Sequence, residues 1–154
     1  MKDFRVLTEE FIPSRIVHRD GQLKALRDNV KPLVEGGRPR NSFLFGPPGT
    51  GKTCISLYLA EELKAAGPIL GSYVNCWEDS TTFKVLFRIL EGFGAFIHRK
   101  GTPTDELLDS FRHRVKGKGC LIILDEIDQL EEDTILYDLL GEGVALVLIS
   151  NSEA

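Results

Sequence analysis

Apolar and polar positions along the chain fall into short apolar runs alternating with amphipathic stretches. Leu23, Leu26, Val30 and Leu33 share one side of a helix predicted over about Gly21 to Val34, with Asp20 able to cap it. Pro32 lies inside that run, so a kink or an early end is expected. Residues 35–41 read as a turn, and 42–45 as a short strand around Phe43-Leu44-Phe45. A helix then runs from Cys54 to about Ala65, where Gly67-Pro68 stops it. Ile69 to Asn75 reads as a second strand. Asp79 or Ser80 opens the next helix, which carries Phe83, Leu86, Phe87 and Leu90 on one face and ends near Glu91 at Gly92-Phe93-Gly94. Thr102-Pro103 starts another, with Asp105 and Glu106 in its first turn and Leu107, Leu108, Phe111 and Val115 facing inward. Cys120 to Leu124 is an unbroken apolar run, the pattern of a central parallel strand buried on both faces. A short helical stretch near 127–140 and a strand from Val144 to Ser150 follow. Residues 1–19 read as extended, since Pro13 disfavours helix just before it. Strands alternating with helices predict an α/β fold with a mainly parallel sheet and right-handed crossovers.

Composition narrows the class. With 154 residues, 42% of them hydrophobic and 27% charged, the chain can bury a globular core. A net charge of −4 argues against a surface that grips nucleic acid all over. No apolar run approaches the roughly 20 residues of a membrane helix, and Met1 to Arg5 lack the apolar core of a signal peptide. Cys54, Cys76 and Cys120 form no C-x-x-C pair and read as buried, reduced thiols of a cytoplasmic protein. Trp77 and the phenylalanines at 83, 87, 93 and 96 read as core residues. Charge is unevenly placed. Between Arg99 and Lys118 six basic residues face three acidic ones, whereas Asp125 to Ala154 holds nine acidic residues and no basic one.

One stretch carries specific chemistry. Gly46-Pro47-Pro48-Gly49-Thr50-Gly51-Lys52-Thr53 fits G-x-x-x-x-G-K-[ST], set between an apolar strand and a helix, where a phosphate-binding loop belongs. Average residue frequencies make a chance match in such a chain about a one-in-a-hundred event. Glycines let the backbone curl with its N–H groups inward, and the helix N-terminus adds partial positive charge. Lys52 can reach β- and γ-phosphates as a point charge, and Thr53 can offer its hydroxyl to Mg²⁺. Pro47 to Cys54 are thus the expected ATP/ADP contacts. At the end of the apolar run 121–124, Asp125 is placed to hold Mg²⁺ and Glu126 to orient or deprotonate a lytic water. Asn151, at the end of the last strand, is either a γ-phosphate contact or a turn asparagine.

Taken together, Gly46–Thr53, Asp125-Glu126-Ile127-Asp128 and Ser150-Asn151 resemble the AAA+ ATPases. Phe11-Ile12-Pro13 with Val17-His18-Arg19-Asp20, Tyr73-Val74-Asn75-Cys76 and Thr104-Asp105-Glu106-Leu107 sharpen this. The chain resembles the archaeal and eukaryotic replication initiators, the family of origin recognition complex subunit one and cell division control protein six. The resemblance implies a three-layer AAA+ core with strand order five-one-four-three-two. It places Ile16, Val17 and His18 near the adenine and makes Asn151 the polar sensor of the γ-phosphate. It divides the chain into an adenine-side segment and helix, 1–40, and a P-loop α/β core, 41–154.

An ATP-controlled switch that marks replication origins and helps load the helicase is the function so implied, with head-to-tail association of AAA+ copies. Nothing here matches the fifth strand, the arginine finger, the helical lid or the DNA-reading winged helix. The chain is then either a fragment or a short homologue, binding nucleotide but turning it over very slowly, and touching origin DNA weakly through 80–118. Two other readings stand beside this one. In the first, nucleotide gates a protein contact through the basic 99–118 and acidic 125–154 stretches. In the second, the chain is another AAA+ ATPase of clamp-loader-like or chaperone-like type, which the front segment argues against.

Overall fold

The computed structural model describes residues 20–151. The extended segment expected over 1–19 lies outside the described residues. Helix α1 (Asp20–Val30) presents Leu23, Leu26 and Val30 to the core at helical spacing. As Pro32 requires, it breaks at Lys31, and a four-residue turn of helix, α2 (Pro32–Glu35), follows. Next come β1 (Ser42–Phe45), α3 (Lys52–Ala66), β2 (Leu70–Asn75), α4 (Thr82–Gly92), α5 (Thr104–Val115) and β3 (Cys120–Asp125). A 3₁₀ turn (Ile127–Gln129), α6 (Thr134–Asp138) and β4 (Val144–Ser150) complete the described chain.

The four strands form one parallel sheet in the order β1-β4-β3-β2. Alternation along the two central strands explains the three layers. Leu121, Ile123, Ala145, Val147 and Ile149 point to one face, where Leu26, Val30, Ile55, Leu59 and Leu63 of α1 and α3 cover them. Cys120, Ile122, Leu124, Val144 and Leu146 point to the other, under Leu86, Ile89, Leu90, Leu107 and Phe111 of α4 and α5 and Ile135 of α6. All six residues of β3 are buried, as the unbroken apolar run demands. The connection from β1 to β2 crosses one face and the connections back to β3 and β4 cross the other, as right-handed crossovers in a sheet of this order require.

Two local expectations are corrected. Neither Asp79 nor Ser80 opens α4: Thr81 is its N-cap and accepts from the Lys84 amide at 3.2 Å. The Asp79 carboxylate is buried and taken by the Arg88 guanidinium, at 3.0 and 3.4 Å. Nor is 127–140 one helical stretch. The Glu131 amide donates to the Ser80 carbonyl at 2.9 Å, which draws 130–132 out of helix between the 3₁₀ turn and α6. The buried face of α4 also rotates: Val85 and Ile89 are fully covered beside Leu86 and Leu90, while Phe83 and Phe87 pack at the margin.

Gly92 turns out to be a packing residue within α4. A Cβ there would lie 3.1 Å from the Cβ and 3.3 Å from the Cα of Ser72, whose hydroxyl donates to the Ile89 carbonyl at 2.6 Å. Gly92→Ala should therefore push α4 off β2 and cost about 1–3 kcal/mol, read as a lower denaturation midpoint.

Cys76 and Cys120 are buried as expected, and burial pushes each thiol up to about 12 from 9.0. Cys54 is only half-buried, because α3 turns that side toward a cavity. Above pH 9.0 the unfolded chain gives up thiol protons that the folded chain keeps until about 12. Unfolding then releases protons, so these two groups make stability fall as pH rises through that window. Denaturation midpoints at about pH 8 and about pH 10.5 should show this fall, and Cys120→Ala should reduce it.

Candidate functional site

All four strands end at the same edge of the sheet. Phe45 pairs with Ser150, Leu124 with Leu148 and Asn75 with Asp125, so this register brings three loops together. Such an edge is where open α/β sheets take their ligands. The loop after β1 turns through Gly46, Gly49 and Gly51 at φ of 142°, 79° and 88°. The last two lie in the left-handed region that glycine tolerates, and no protein atom lies within 4 Å of where a Cβ at Gly49 would sit. A side chain at Gly49 would therefore project into the cavity and strain the backbone.

Lys52, the first residue of α3, is only 3% exposed. Its ammonium reaches back over the loop and donates to the carbonyls of Gly46 (2.9 Å) and Pro47 (2.7 Å) and to Thr50 Oγ1 (3.3 Å). Thr50 in turn donates to the Pro47 carbonyl at 2.9 Å. The charge is thus held inside the curl of the loop, at the N-terminus of a fifteen-residue helix.

Opposite lies Asp125, the last residue of β3, 6% exposed. Its Oδ2 accepts from Thr53 Oγ1 at 2.6 Å and from the Tyr73 hydroxyl at 2.7 Å, and its Oδ1 accepts from the Glu126 amide at 2.9 Å. That amide is in place because Glu126 adopts φ +54°, the one positive φ outside glycine among the described residues. Left-handed backbone at a non-glycine residue is strained by about 1 kcal/mol or more. It turns the chain sharply off the strand and sends the Glu126 carboxylate toward Asn151, whose Nδ2 lies 3.5 Å from Oε1. Burial first, then the hydrogen bond and negative charge of Asp125, raise the Tyr73 phenol above its usual 10.0, so it stays a donor.

These groups line one open cavity of about 370 Å³: Pro48 to Cys54 on one side, and Tyr73, Asp125, Glu126 and Asn151 on the other. The residues read from the sequence as a nucleotide and metal site therefore converge, except for two groups. Pro47 contributes its carbonyl to Lys52 and not its side chain to the wall. Ile16, Val17 and His18 lie outside the described residues. Sequence reading missed Tyr73 as a site residue. The signal was there in retrospect: two positions before the end of β2, beside β3, a long polar-tipped ring reaches the diagonal neighbour Asp125.

Residues 36–153 match the family described as AAA domain. The chain belongs to that family. The chain is 43% identical over 155 residues to ORC1-type DNA replication protein 1 of Halobacterium salinarum, a match covering 98% of this chain and 50% of that protein. It also superposes on solved structures. Cdc6p from Pyrobaculum aerophilum matches with TM-score 0.76 and 25% identity, over 99% of this chain and 44% of that one. The Aeropyrum pernix ORC1 protein, solved in complex with DNA, matches with TM-score 0.76 and 29% identity, over 88% and 39%. The chain spans about half the length of the curated relatives it matches. Its resemblance to archaeal ORC1- and Cdc6-type proteins thus extends from motif to fold, and the four-stranded order seen here is the expected AAA+ order over the strands described.

The donor set can also be asked whether it suits a divalent cation. Hard cations of this kind take oxygen ligands and hold several waters and phosphate oxygens besides one or two protein groups. Thr53 Oγ1 and Asp125, 2.6 Å apart, offer such a pair of oxygens facing the phosphate loop. Among the described residues no cluster of three or more His, Cys, Asp or Glu forms a self-sufficient metal cage. A cation that arrives with a nucleotide fits this site, and a resident structural metal does not.

Proposed function

We propose that this AAA domain is the nucleotide-binding core of a replication initiator, an ATP-controlled switch with very slow hydrolysis. The observation that carries the proposal is the buried Lys52 ammonium facing the Thr53–Asp125 pair across one cavity. In this reading the N–H groups of 49–53 and the α3 N-terminus hold the phosphates. Lys52 exchanges its loop carbonyls for β- and γ-phosphate oxygens. Thr53 and Asp125 would hold Mg²⁺, which would supply charge neutralisation at the phosphates. Glu126 would take the proton of a water attacking the γ-phosphorus, and Asn151, 3.5 Å from Glu126 Oε1 in the wall of the same cavity, would report the triphosphate. Lys52 is the only cation among the described residues lining the cavity. Transition-state charge is then under-compensated, and an added cationic finger is typically worth about 10³–10⁵ in rate. Calorimetric titration with ATP and ADP in Mg²⁺ tests the reading. Binding of both with barely measurable phosphate release supports it, and no binding of either overturns it.

Origin DNA is the proposed macromolecular partner, and head-to-tail copies and a replicative helicase belong to the same reading. Ser110, His113, Arg114, Lys116 and Lys118 line a concave surface of about 640 Å³ where α5 ends and β3 begins, at the sheet edge opposite the nucleotide site. Phe96 and Trp77, both read from the sequence as core, are instead 89% and 65% exposed, with His98 edge-on to Phe96 at 5.6 Å. Both lack a covering element among the described residues. Phe83, Phe87 and Phe93 do pack against the core, with Arg99 over the Phe87 ring at 5.0 Å. Duplex binding should be weak, fall steeply with salt, and weaken further in an Arg114→Glu, Lys116→Glu double variant. A binding curve indifferent to salt would contradict the phosphate-contact part of this reading.

A further inference from the structure

Asp125 is held by more than the family motif supplies. A carboxylate has roughly four lone-pair sites, two on each oxygen. Thr53 and Tyr73 occupy both on Oδ2, and the Glu126 amide occupies one on Oδ1. One lone pair on Oδ1 is left for a cation or a cation-bound water. The Thr53 oxygen keeps its own lone pairs while donating its proton to Oδ2, so the two groups can face one ion together.

We propose that the Tyr73 hydroxyl is a positioning group for the cation site: by filling Oδ2 it fixes the rotation of the Asp125 carboxylate and leaves Oδ1 as the oxygen with a lone pair that could take a cation or its water. The torsion at the end of an aspartate side chain is broad and soft, so the carboxylate plane is set by its partners and not by rotamer preference. Tyr73 is well placed to set it. Its backbone is locked in the parallel ladder opposite Ile123, and its ring packs against the core under α1 and α3. The hydroxyl thus arrives from a rigid strand. Thr53, by contrast, lies in the first turn of α3, next to a loop that must accommodate a ligand. Hydrogen bonds to a metal-binding carboxylate from such outer groups commonly govern metal affinity about 10–100-fold.

The inference rests on the nucleotide reading above, and its test separates the two. Wild type and Tyr73→Phe, which keeps the ring and its packing, are titrated with ATP in EDTA and then with Mg²⁺ at fixed ATP, with affinity read by calorimetry. The proposal expects equal ATP affinity in EDTA, an unchanged fold by melting, and a Mg²⁺ midpoint raised about 10-fold or more in the variant. Manganese binding to the ATP complex, followed by the loss of free-ion paramagnetic signal, should shift in the same direction. If wild type binds ATP with a clear Mg²⁺ dependence and Tyr73→Phe shows the same midpoint, Tyr73 is merely a satisfied core tyrosine and the inference fails alone. If ATP affinity in EDTA falls as much as affinity in Mg²⁺, the hydroxyl serves the loop and not the cation, and the inference also fails. Wild type that binds no nucleotide overturns both readings.

Discussion

Lys52→Ala is expected to weaken ATP binding about 100-fold while leaving the chain folded. The ammonium can donate to two or three phosphate oxygens, and hydrogen bonds to charged groups are worth about 1.5–3 kcal/mol each. Part of that gain is offset, because binding exchanges the contacts to Gly46, Pro47 and Thr50 seen here. A net loss near 2.7 kcal/mol corresponds to about 100-fold in Kd. Lys52→Arg should not rescue it: a broad, planar guanidinium does not fit a curl closed over a compact ammonium. The Gly46 carbonyl loses its buried partner in the alanine variant, so a small drop in melting temperature accompanies the loss. Calorimetry and a melt on the same sample separate the two effects.

Ile122→Ala carries the largest expected effect on stability. Ile122 is completely buried in β3, with Ser72 and Leu146 as its neighbours in the ladder. Removing its branched side chain takes away burial and leaves a cavity that a sheet between two helical layers cannot close. Such substitutions cost about 2–5 kcal/mol. At roughly 2–4 °C per kcal/mol for a domain of this size, the melting temperature should fall by about 10 °C. Because β3 carries Asp125 at its end, the Mg²⁺-dependent part of ATP affinity should weaken too, whereas a purely local cavity would leave it unchanged.

How far these features could be read from residues alone follows from what each depends on. The parallel sheet was legible because Cys120–Leu124 is apolar at every position, and only a strand covered on both faces tolerates that. The phosphate loop was legible because glycines at 46, 49 and 51 answer a backbone demand written in the sequence itself. Asp125 could be anticipated once β3 was placed, since the strand's end sets its position. What escaped depends on partners distant in sequence. Thr81 replaced Asp79 as the α4 cap because Arg88, nine positions on from Asp79, claimed that carboxylate. Helical spacing could not tell Phe96 from Phe93, because exposure depends on whether another element covers the residue. Tyr73 counted only as part of the Tyr73-Val74-Asn75-Cys76 resemblance, since only the pairing of β2 with β3 brings its hydroxyl to Asp125.

The most direct test of the central claim is an amide-resolved NMR titration with Mg²⁺-ATP. The account predicts the largest shifts, and slowed exchange with solvent, at the backbone N–H groups of Gly49, Thr50, Gly51, Lys52 and Thr53, with smaller shifts at Glu126 and Asn151. Amides at the opposite sheet edge, around Lys118 and Val144, should not move. Shifts centred elsewhere, or none in a protein that is folded, would contradict the assignment of this cavity to a nucleotide.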